Sequence, residues 1–131
     1  MEKKSRALFS GGELHKSIDL ILWVVITINF IFHTQSGLNY TIIHPGGLID
    51  NAEGTEQFVL DVDDKLLKNK KRSISRSEVA NLCVAALKVA RSQKVSFDCI
   101  TREPNEAEII MSAEEALKNF LKQGKTSDYS L

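Results

Sequence analysis

The 131-residue sequence predicts an α/β protein in which a parallel β-sheet is flanked by helices. Residues 40–43 are β-branched or aromatic, and residues 95–100 alternate polar with apolar side chains, so both stretches are predicted to be β-strands. Amphipathic helices are predicted at 75–91 and 112–124. The order strand, loop, helix, strand, helix is typical of an α/β layer architecture.

The predicted strand at 40–43 is bounded by turn-forming sequences. Ser-Gly precedes it at 36–37, and Pro-Gly-Gly follows it at 45–47. Proline fixes φ and ends a ladder, while glycines without a Cβ let backbone N–H groups approach a ligand at the carboxyl end of a strand. The residues alone leave an ordinary strand-to-loop turn and a ligand-contacting loop both open. In either case we expect a short buried strand that stops at the proline.

Both predicted helices begin with a capping-box sequence. Ser75 and Glu78 open the first helix, and Ser112 and Glu115 open the second. The apolar face of the first helix is expected to contain Val79, Leu82, Cys83, Ala86, Leu87 and Ala90. The second is expected to bury Ala116, Leu117, Phe120 and Leu121, and to end near Gly124.

The charges balance over the whole chain. Lysine plus arginine and aspartate plus glutamate both number 17, so no net field would recruit nucleic acid or an anionic membrane. Locally, residues 65–76 are basic, which leaves a solvated loop before a helix or a phosphate contact as alternatives. No metal site is predicted at Asp61, Asp63 and Asp64, because the glycine and glutamate of a calcium loop are missing.

The two cysteines, Cys83 and Cys99, have neither a metal-ligand nor a Cys-x-x-Cys spacing. Both are therefore predicted to be small buried apolar groups in a reducing compartment.

Residues 20–32 form an uncharged apolar run within an N-terminal segment, 1–35, of different composition. Thirteen residues reach ~20 Å as a helix, against a hydrocarbon core of ~30 Å, so a complete membrane span is not expected. A buried strand and a buried helix both remain open for this run. Residues 125–131 are expected to be a frayed polar tail.

The sequence Tyr-Thr-Ile-Ile-His-Pro-Gly-Gly-Leu at 40–48 resembles the Tyr-Thr-Ile-Ile-Arg-Pro-Gly-Gly-Leu segment of atypical short-chain dehydrogenase/reductases, the NmrA-like NAD(P)-binding proteins, especially plant and algal ones. Further similarity lies at 63–67, 74–87 and 97–98. The resemblance covers roughly 36–122 and corresponds to the C-terminal half of such a protein. It fails between Trp23 and Ser36, which suggests a misread coding segment there.

This resemblance implies that residues 36–124 are the C-terminal part of a Rossmann-like NAD(P)-binding domain, which is an incomplete fold by itself. It assigns His44, Pro45, Gly46, Gly47 and Leu48 to the nicotinamide end of the cofactor site. His44 stands where the family usually has arginine. The backbone amides of this segment would be available to bind a carboxamide, and NADP is expected in preference to NAD.

Two motifs of active relatives are missing. No G-x-G-x-x-G or G-x-x-G-x-x-G turn is present to hold a pyrophosphate, and no Tyr-x-x-x-Lys pair is present for proton transfer. No catalytic residue or metal ligand is therefore assigned. We expect an NAD(P)-binding protein related to oxidoreductases, inactive in this form, with an unknown small-molecule substrate and a cytoplasmic or plastid location. The alternatives are a non-enzymatic NAD(P)-sensing or interaction module and a small protein anchored in a membrane through 20–32.

Overall fold

The computed structural model describes residues 35–125. The chain divides into two compact units, Met1–Tyr40 and Thr41–Leu131, and each is described by itself. In the first unit, the backbone N–H of Leu38 donates to Ser36 Oγ at 3.3 Å and Gly37 has a φ of +76°, which forms the expected Ser-Gly turn. The expectations for 20–32 and for nearly all of the tail lie outside the described residues.

The described strands form two small sheets. In chain order the elements are β1 (Tyr40–Pro45), β2 (Gly47–Ile49), β3 (Gln57–Asp61), a 3-10 helix (Lys65–Lys68), β4 (Ser73–Ser75), α1 (Arg76–Val89), β5 (Lys94–Arg102) and α2 (Ala113–Lys122). One sheet has the order β1-β5-β3, and in the other β2 pairs with β4 in parallel. The predicted α/β class with flanking helices is confirmed, and β2 and β4 are a parallel pair. The pairing is mixed, because β3 and β5 are antiparallel, whereas a parallel sheet was predicted.

Strand β5 is the centre of the three-stranded sheet and is buried from 95 to 101. It pairs antiparallel with β3, from Gln57 opposite Arg102 to Asp61 opposite Asp98. The strand predicted at 95–100 is therefore confirmed, but its polar residues are buried with the apolar ones. Alternation in the sequence does not mark an exposed face here, because neighbouring strands and connections cover both sides.

Strand β1 differs from its prediction in length and burial. It runs through Pro45 and is half-buried along all six residues, whereas a shorter, buried strand ending before the proline was expected. After the single residue Gly46 the chain enters β2, so the Pro-Gly-Gly sequence is a crossing from one sheet to the other. Proline does not end the strand because its missing N–H removes only one possible ladder bond, and its fixed φ is compatible with an extended chain.

Helix α1 begins as predicted, and the predicted burial of Leu82, Ala86 and Ala90 is confirmed, while Val79 is partly buried. Ser75 Oγ accepts a hydrogen bond from the N–H of Glu78 at 3.2 Å. The reciprocal half of the capping box is replaced, because the Glu78 carboxylate accepts instead from the N–H of Gly54 at 2.6 Å. The buried residues of the helix are Glu78, Leu82, Ala85 and Ala86. The predictions that Cys83 and Leu87 are buried are wrong, since both are exposed; the helix is rotated toward the residues around the buried Glu78.

Helix α2 agrees with the prediction except at Leu121, which is only partly buried. Both halves of its capping box are present between Ser112 and Glu115, and the helix buries Ala113, Ala116, Leu117 and Phe120. The ring of Phe120 lies 5.3 Å from that of Phe97 in β5, which joins the helix to the central strand. Within residues 35–125, no helix combines the length and the apolar content needed to cross a bilayer.

The basic segment 65–76 is not simply a solvated loop. It contains the 3-10 helix, whose Leu66 is buried, and the short strand β4, whose Ile74 is buried. Asp63 and Asp64, which precede it, both have left-handed φ angles near +57°. The backbone N–H of Asp64 donates to the carboxylate of the buried Asp98 at 2.9 Å, which gives this pair a structural role.

Candidate functional site

The segment 44–48 lies where β1 passes into β2, and its glycine amides are used by the protein itself. The N–H of Gly46 donates to the carbonyl oxygen of Cys99 at 2.9 Å, and the N–H of Gly47 donates to the carbonyl oxygen of Arg72 at 2.8 Å. Each amide is therefore already hydrogen-bonded within the protein: that of Gly46 to β5, and that of Gly47 to the residue preceding β4. The expectation that these two N–H groups would bind a carboxamide is not met by this geometry.

The space available for a side chain differs between the two glycines. A Cβ added at Gly46 would lie 2.3 Å from the carbonyl oxygen of Arg72 and 2.9 Å from Cγ2 of Ile100, so no side chain fits there. At Gly47 the nearest atom would be the same carbonyl oxygen at 3.6 Å, an ordinary contact, and the residue is exposed. The close backbone approach predicted from the Pro-Gly-Gly sequence is thus made at Gly46, and it is made to the chain's own backbone.

The remaining predicted residues face different surroundings. His44 Nε2 lies 3.1 Å from Ser96 Oγ of β5, in a partly buried contact. Pro45 is half-buried at the end of β1, whereas Leu48 in β2 exposes 47% of its surface. Of the five predicted residues, Gly47 and Leu48 are therefore the ones open to a ligand, while His44 and Gly46 are engaged with β5.

A polar cluster lies next to β4, the strand that pairs with β2 after the crossing. The carboxylate of Glu56 accepts hydrogen bonds from the Lys71 ammonium and from the hydroxyl of Thr101, and that hydroxyl also lies 3.3 Å from the carbonyl oxygen of Ser73. The side chain of Glu56 is only 13% exposed. The hydrogen bonds from Lys71 and then Thr101 lower the pKa of Glu56. The cluster therefore keeps the Glu56 carboxylate ionised close to Ser73 of β4, the residue that pairs with Gly47.

This cluster was missed by the sequence reasoning. Its members come from three distant parts of the chain, and only tertiary contact brings them together. The basic run at 65–76 was the available signal, since it contains Lys71 and Arg72. Arg72 contributes its carbonyl oxygen to Gly47, and its Nε donates to the carbonyl oxygen of Asn69 at 3.0 Å.

A cleft of about 420 Å³ lies elsewhere in the second unit, between α1, the start of α2 and the loop around Gly54. None of the five predicted residues lines it. Within residues 35–125, no cluster of three or more His, Cys, Asp or Glu side chains is arranged to hold a metal ion.

Comparison with known proteins agrees with the resemblance seen in the sequence. Residues 32–90 match the model of a family described as NAD(P)H-binding. The chain is 37% identical over 68 residues to an uncharacterised chloroplastic protein of Arabidopsis thaliana, which covers 52% of this chain and 21% of that protein. It is 40% identical over 64 residues to sanguinarine reductase of Eschscholzia californica, with coverages of 49% and 23%.

A third relative is the chloroplastic protein High Chlorophyll Fluorescence Phenotype 173 of Arabidopsis thaliana, 36% identical over 64 residues, 49% of this chain and 10% of that protein. The matched part of the chain thus corresponds to between 10% and 23% of the length of these relatives. What is shared is a segment of their sequence.

Proposed function

We propose that this chain is the C-terminal part of a Rossmann-like NAD(P)-binding domain of the oxidoreductase type, because residues 32–90 match a family model described as NAD(P)H-binding. Residues 36–124 form that part, and the segment 44–48 contributes to the nicotinamide end of the cofactor site. The observation that carries the proposal is that the family match contains the whole crossing from β1 through Gly46 to β2. In open α/β sheets, ligands bind at the carboxyl ends of the strands, where this crossing lies.

Within the segment we assign cofactor contact to Gly47 and Leu48. Both are exposed, and the absence of a side chain at Gly47 leaves the backbone open to a flat ring. The exposed Leu48 side chain offers the apolar surface that a nicotinamide ring would cover. His44 and Gly46 hold the segment in place through β5, which explains how histidine can stand where a basic arginine is usual.

We propose that the chain is not catalytic by itself and that a complete protein would bind NADP in preference to NAD and act on a small molecule still to be identified. The name of one relative, sanguinarine reductase, supports the oxidoreductase type. Two chloroplastic relatives support a plastid location.

The test uses the 131-residue chain labelled with ¹⁵N and two halves of the cofactor. Reduced nicotinamide mononucleotide should shift the amide signals of Gly47 and Leu48, and adenosine 2′,5′-bisphosphate, which represents the adenine end, should not. Gly47→Val should abolish these shifts, because its branched side chain would occupy the position of the ring. Ala52→Val, a change of similar size at an exposed position in the next loop, is the matched control and should leave them unchanged.

The proposal fails if the nicotinamide fragment shifts no signal between 44 and 50. It also fails if Gly47→Val folds and responds as the unchanged chain does.

A further inference from the structure

We propose that Arg72 forms an anion-binding subsite beside Gly47 and Leu48, and that it takes a phosphate or carboxylate group of the molecule bound there. This inference rests on the proposed function and adds to it the chemical class of the ligand. Two molecules can bring such a group to this position. One is the nucleotide, through the phosphate on its nicotinamide ribose, and the other is an anionic substrate.

Backbone pairing fixes the position of Arg72 beside the proposed ligand contacts. Its carbonyl oxygen accepts the N–H of Gly47 at 2.8 Å, and the next residue, Ser73, is the ladder partner of Gly47 in the parallel pair of β2 and β4. Paired strands lie about 4.8 Å apart, so the backbone of Arg72 is roughly one strand spacing from Gly47. The long arginine side chain therefore starts next to the place where the ligand would lie.

The side chain of Arg72 is exposed but oriented by the protein. Its Nε donates to the carbonyl oxygen of Asn69 at 3.0 Å, and Asn69 itself caps the 3-10 helix through its own N–H. Within residues 35–125, no carboxylate forms an ion pair with Arg72. The two Nη groups thus remain as donors, and their planar arrangement fits a carboxylate or a phosphate.

The segment around Arg72 adds further positive charge. Residues 68–76 contain five cations and no acidic residue. Two of the five are paired with carboxylates of the described chain, whereas Lys68, Lys70 and Arg72 are exposed and have no such partner there. Three cations in one short segment create a positive potential that favours an anionic ligand over a neutral or cationic one.

The anionic group belongs to a larger ligand. Exposed cations hold an isolated anion weakly, because water and salt screen the attraction. A ligand that also covers Leu48 gains a second contact, since Leu48 pairs with Ile74, two residues after Arg72, and the two contacts lie on adjacent strands. A basic segment that only solvates the surface predicts the opposite result, in which binding does not depend on the charge of the ligand.

The test uses the ¹⁵N-labelled 131-residue chain and two reduced nicotinamide fragments, the riboside, which has no phosphate, and the mononucleotide, which has one. If the nucleotide supplies the anion, the mononucleotide should bind about fivefold more tightly or better, as expected of one exposed charge-assisted hydrogen bond. In a second arm, benzoate and neutral benzamide, which have similar shapes, are titrated into the chain saturated with the riboside. If the substrate supplies the anion, benzoate should be preferred by a similar factor.

Arg72→Gln removes the charge and keeps the backbone contact with Gly47, so it should abolish the preference for the anionic probe in the arm that shows one. Arg91→Gln, at an exposed arginine just after α1, is the matched control and should leave the preference unchanged. The Nε–H signal of Arg72 in the unsubstituted chain gives a measurement that does not depend on a variant. It should shift with the anionic probe and not with the neutral one.

The inference is overturned if neither arm shows a preference for the anion, or if Arg72→Gln keeps the same preference as Arg91→Gln. The neutral riboside separates this failure from that of the proposed function. If the riboside shifts the amide signals of Gly47 and Leu48, the ring contact stands and only the anion subsite has failed. If it shifts neither signal, both have failed.

Discussion

The carbonyl oxygen of Arg72 lies against Gly46 so closely that a Cβ on Gly46 would be 2.3 Å away, and the same oxygen accepts the N–H of Gly47 at 2.8 Å. One backbone group therefore fixes both glycines. It places the end of β1 beside the start of β4 and lets β2 pair with β4 immediately afterwards. The crossing between the two sheets depends on this contact.

The first prediction separates the two glycines by stability. Gly46→Ala should lower the free energy of unfolding by about 2 kcal/mol or more, because the new methyl group would overlap a backbone oxygen and a buried isoleucine. Gly47→Ala should change it by less than about 0.5 kcal/mol, because its Cβ would meet only an ordinary contact. Urea unfolding of the 131-residue chain followed by circular dichroism measures both. Equal losses at the two positions would contradict the roles assigned here.

The second prediction concerns Glu56 and pH. Hydrogen bonds from Lys71 and Thr101 lower the pKa of Glu56 below the ordinary value of 4.5, so the stabilisation is complete above that value and is lost as pH falls through the lowered pKa. Glu56→Gln should therefore cost about 1–2 kcal/mol at pH 7, since Lys71 is partly exposed, and much less near pH 3. Denaturant unfolding at both pH values measures the difference. Glu103→Gln, at an exposed position, serves as the control, and a cost at Glu56 that does not change with pH would contradict the account.

The third prediction distinguishes the two cysteines. Cys83 is exposed on α1, whereas burial, followed by the nearby Asp98, raises the pKa of Cys99 to about 12. A thiol reagent reacts with the thiolate, so at pH 8 the folded chain should be labelled at Cys83 alone and at both residues in denaturant. Cys83→Ser should show no labelling until it unfolds. Rapid labelling of Cys99 in the folded chain would show that β5 opens more readily than its burial indicates.

Sequence reasoning was most successful where local chemistry determines structure. The capping box at Ser112 and Glu115 gave the start of α2 correctly, because both of its hydrogen bonds lie within one helical turn. The face of α1 was predicted correctly at Leu82, Ala86 and Ala90 but wrongly at Cys83 and Leu87. Glu78, expected to complete a local cap, instead accepts a hydrogen bond from the backbone N–H of Gly54, 24 residues earlier. The sequence indicated where the Pro-Gly-Gly segment lies in the chain but not that it crosses from one sheet to the other. The geometry of this crossing depends on Arg72, whose proximity no spacing in the sequence indicates.

The last prediction is that the 131-residue chain binds complete NADPH only weakly. Most recognition of a dinucleotide comes from its pyrophosphate, which is held by a glycine-rich turn at a helix N-terminus, and the sequence contains no such turn. The exposed Gly47 and Leu48 can contact only the nicotinamide end, and both glycine amides are already bonded within the sheet. Calorimetric titration of the chain should therefore show no submicromolar binding of NADPH or NADH. Submicromolar binding by the isolated chain would indicate another phosphate site. In that case the exposed cations Lys68, Lys70 and Arg72 would be the first to replace, because they lie in the one markedly basic stretch of the described chain.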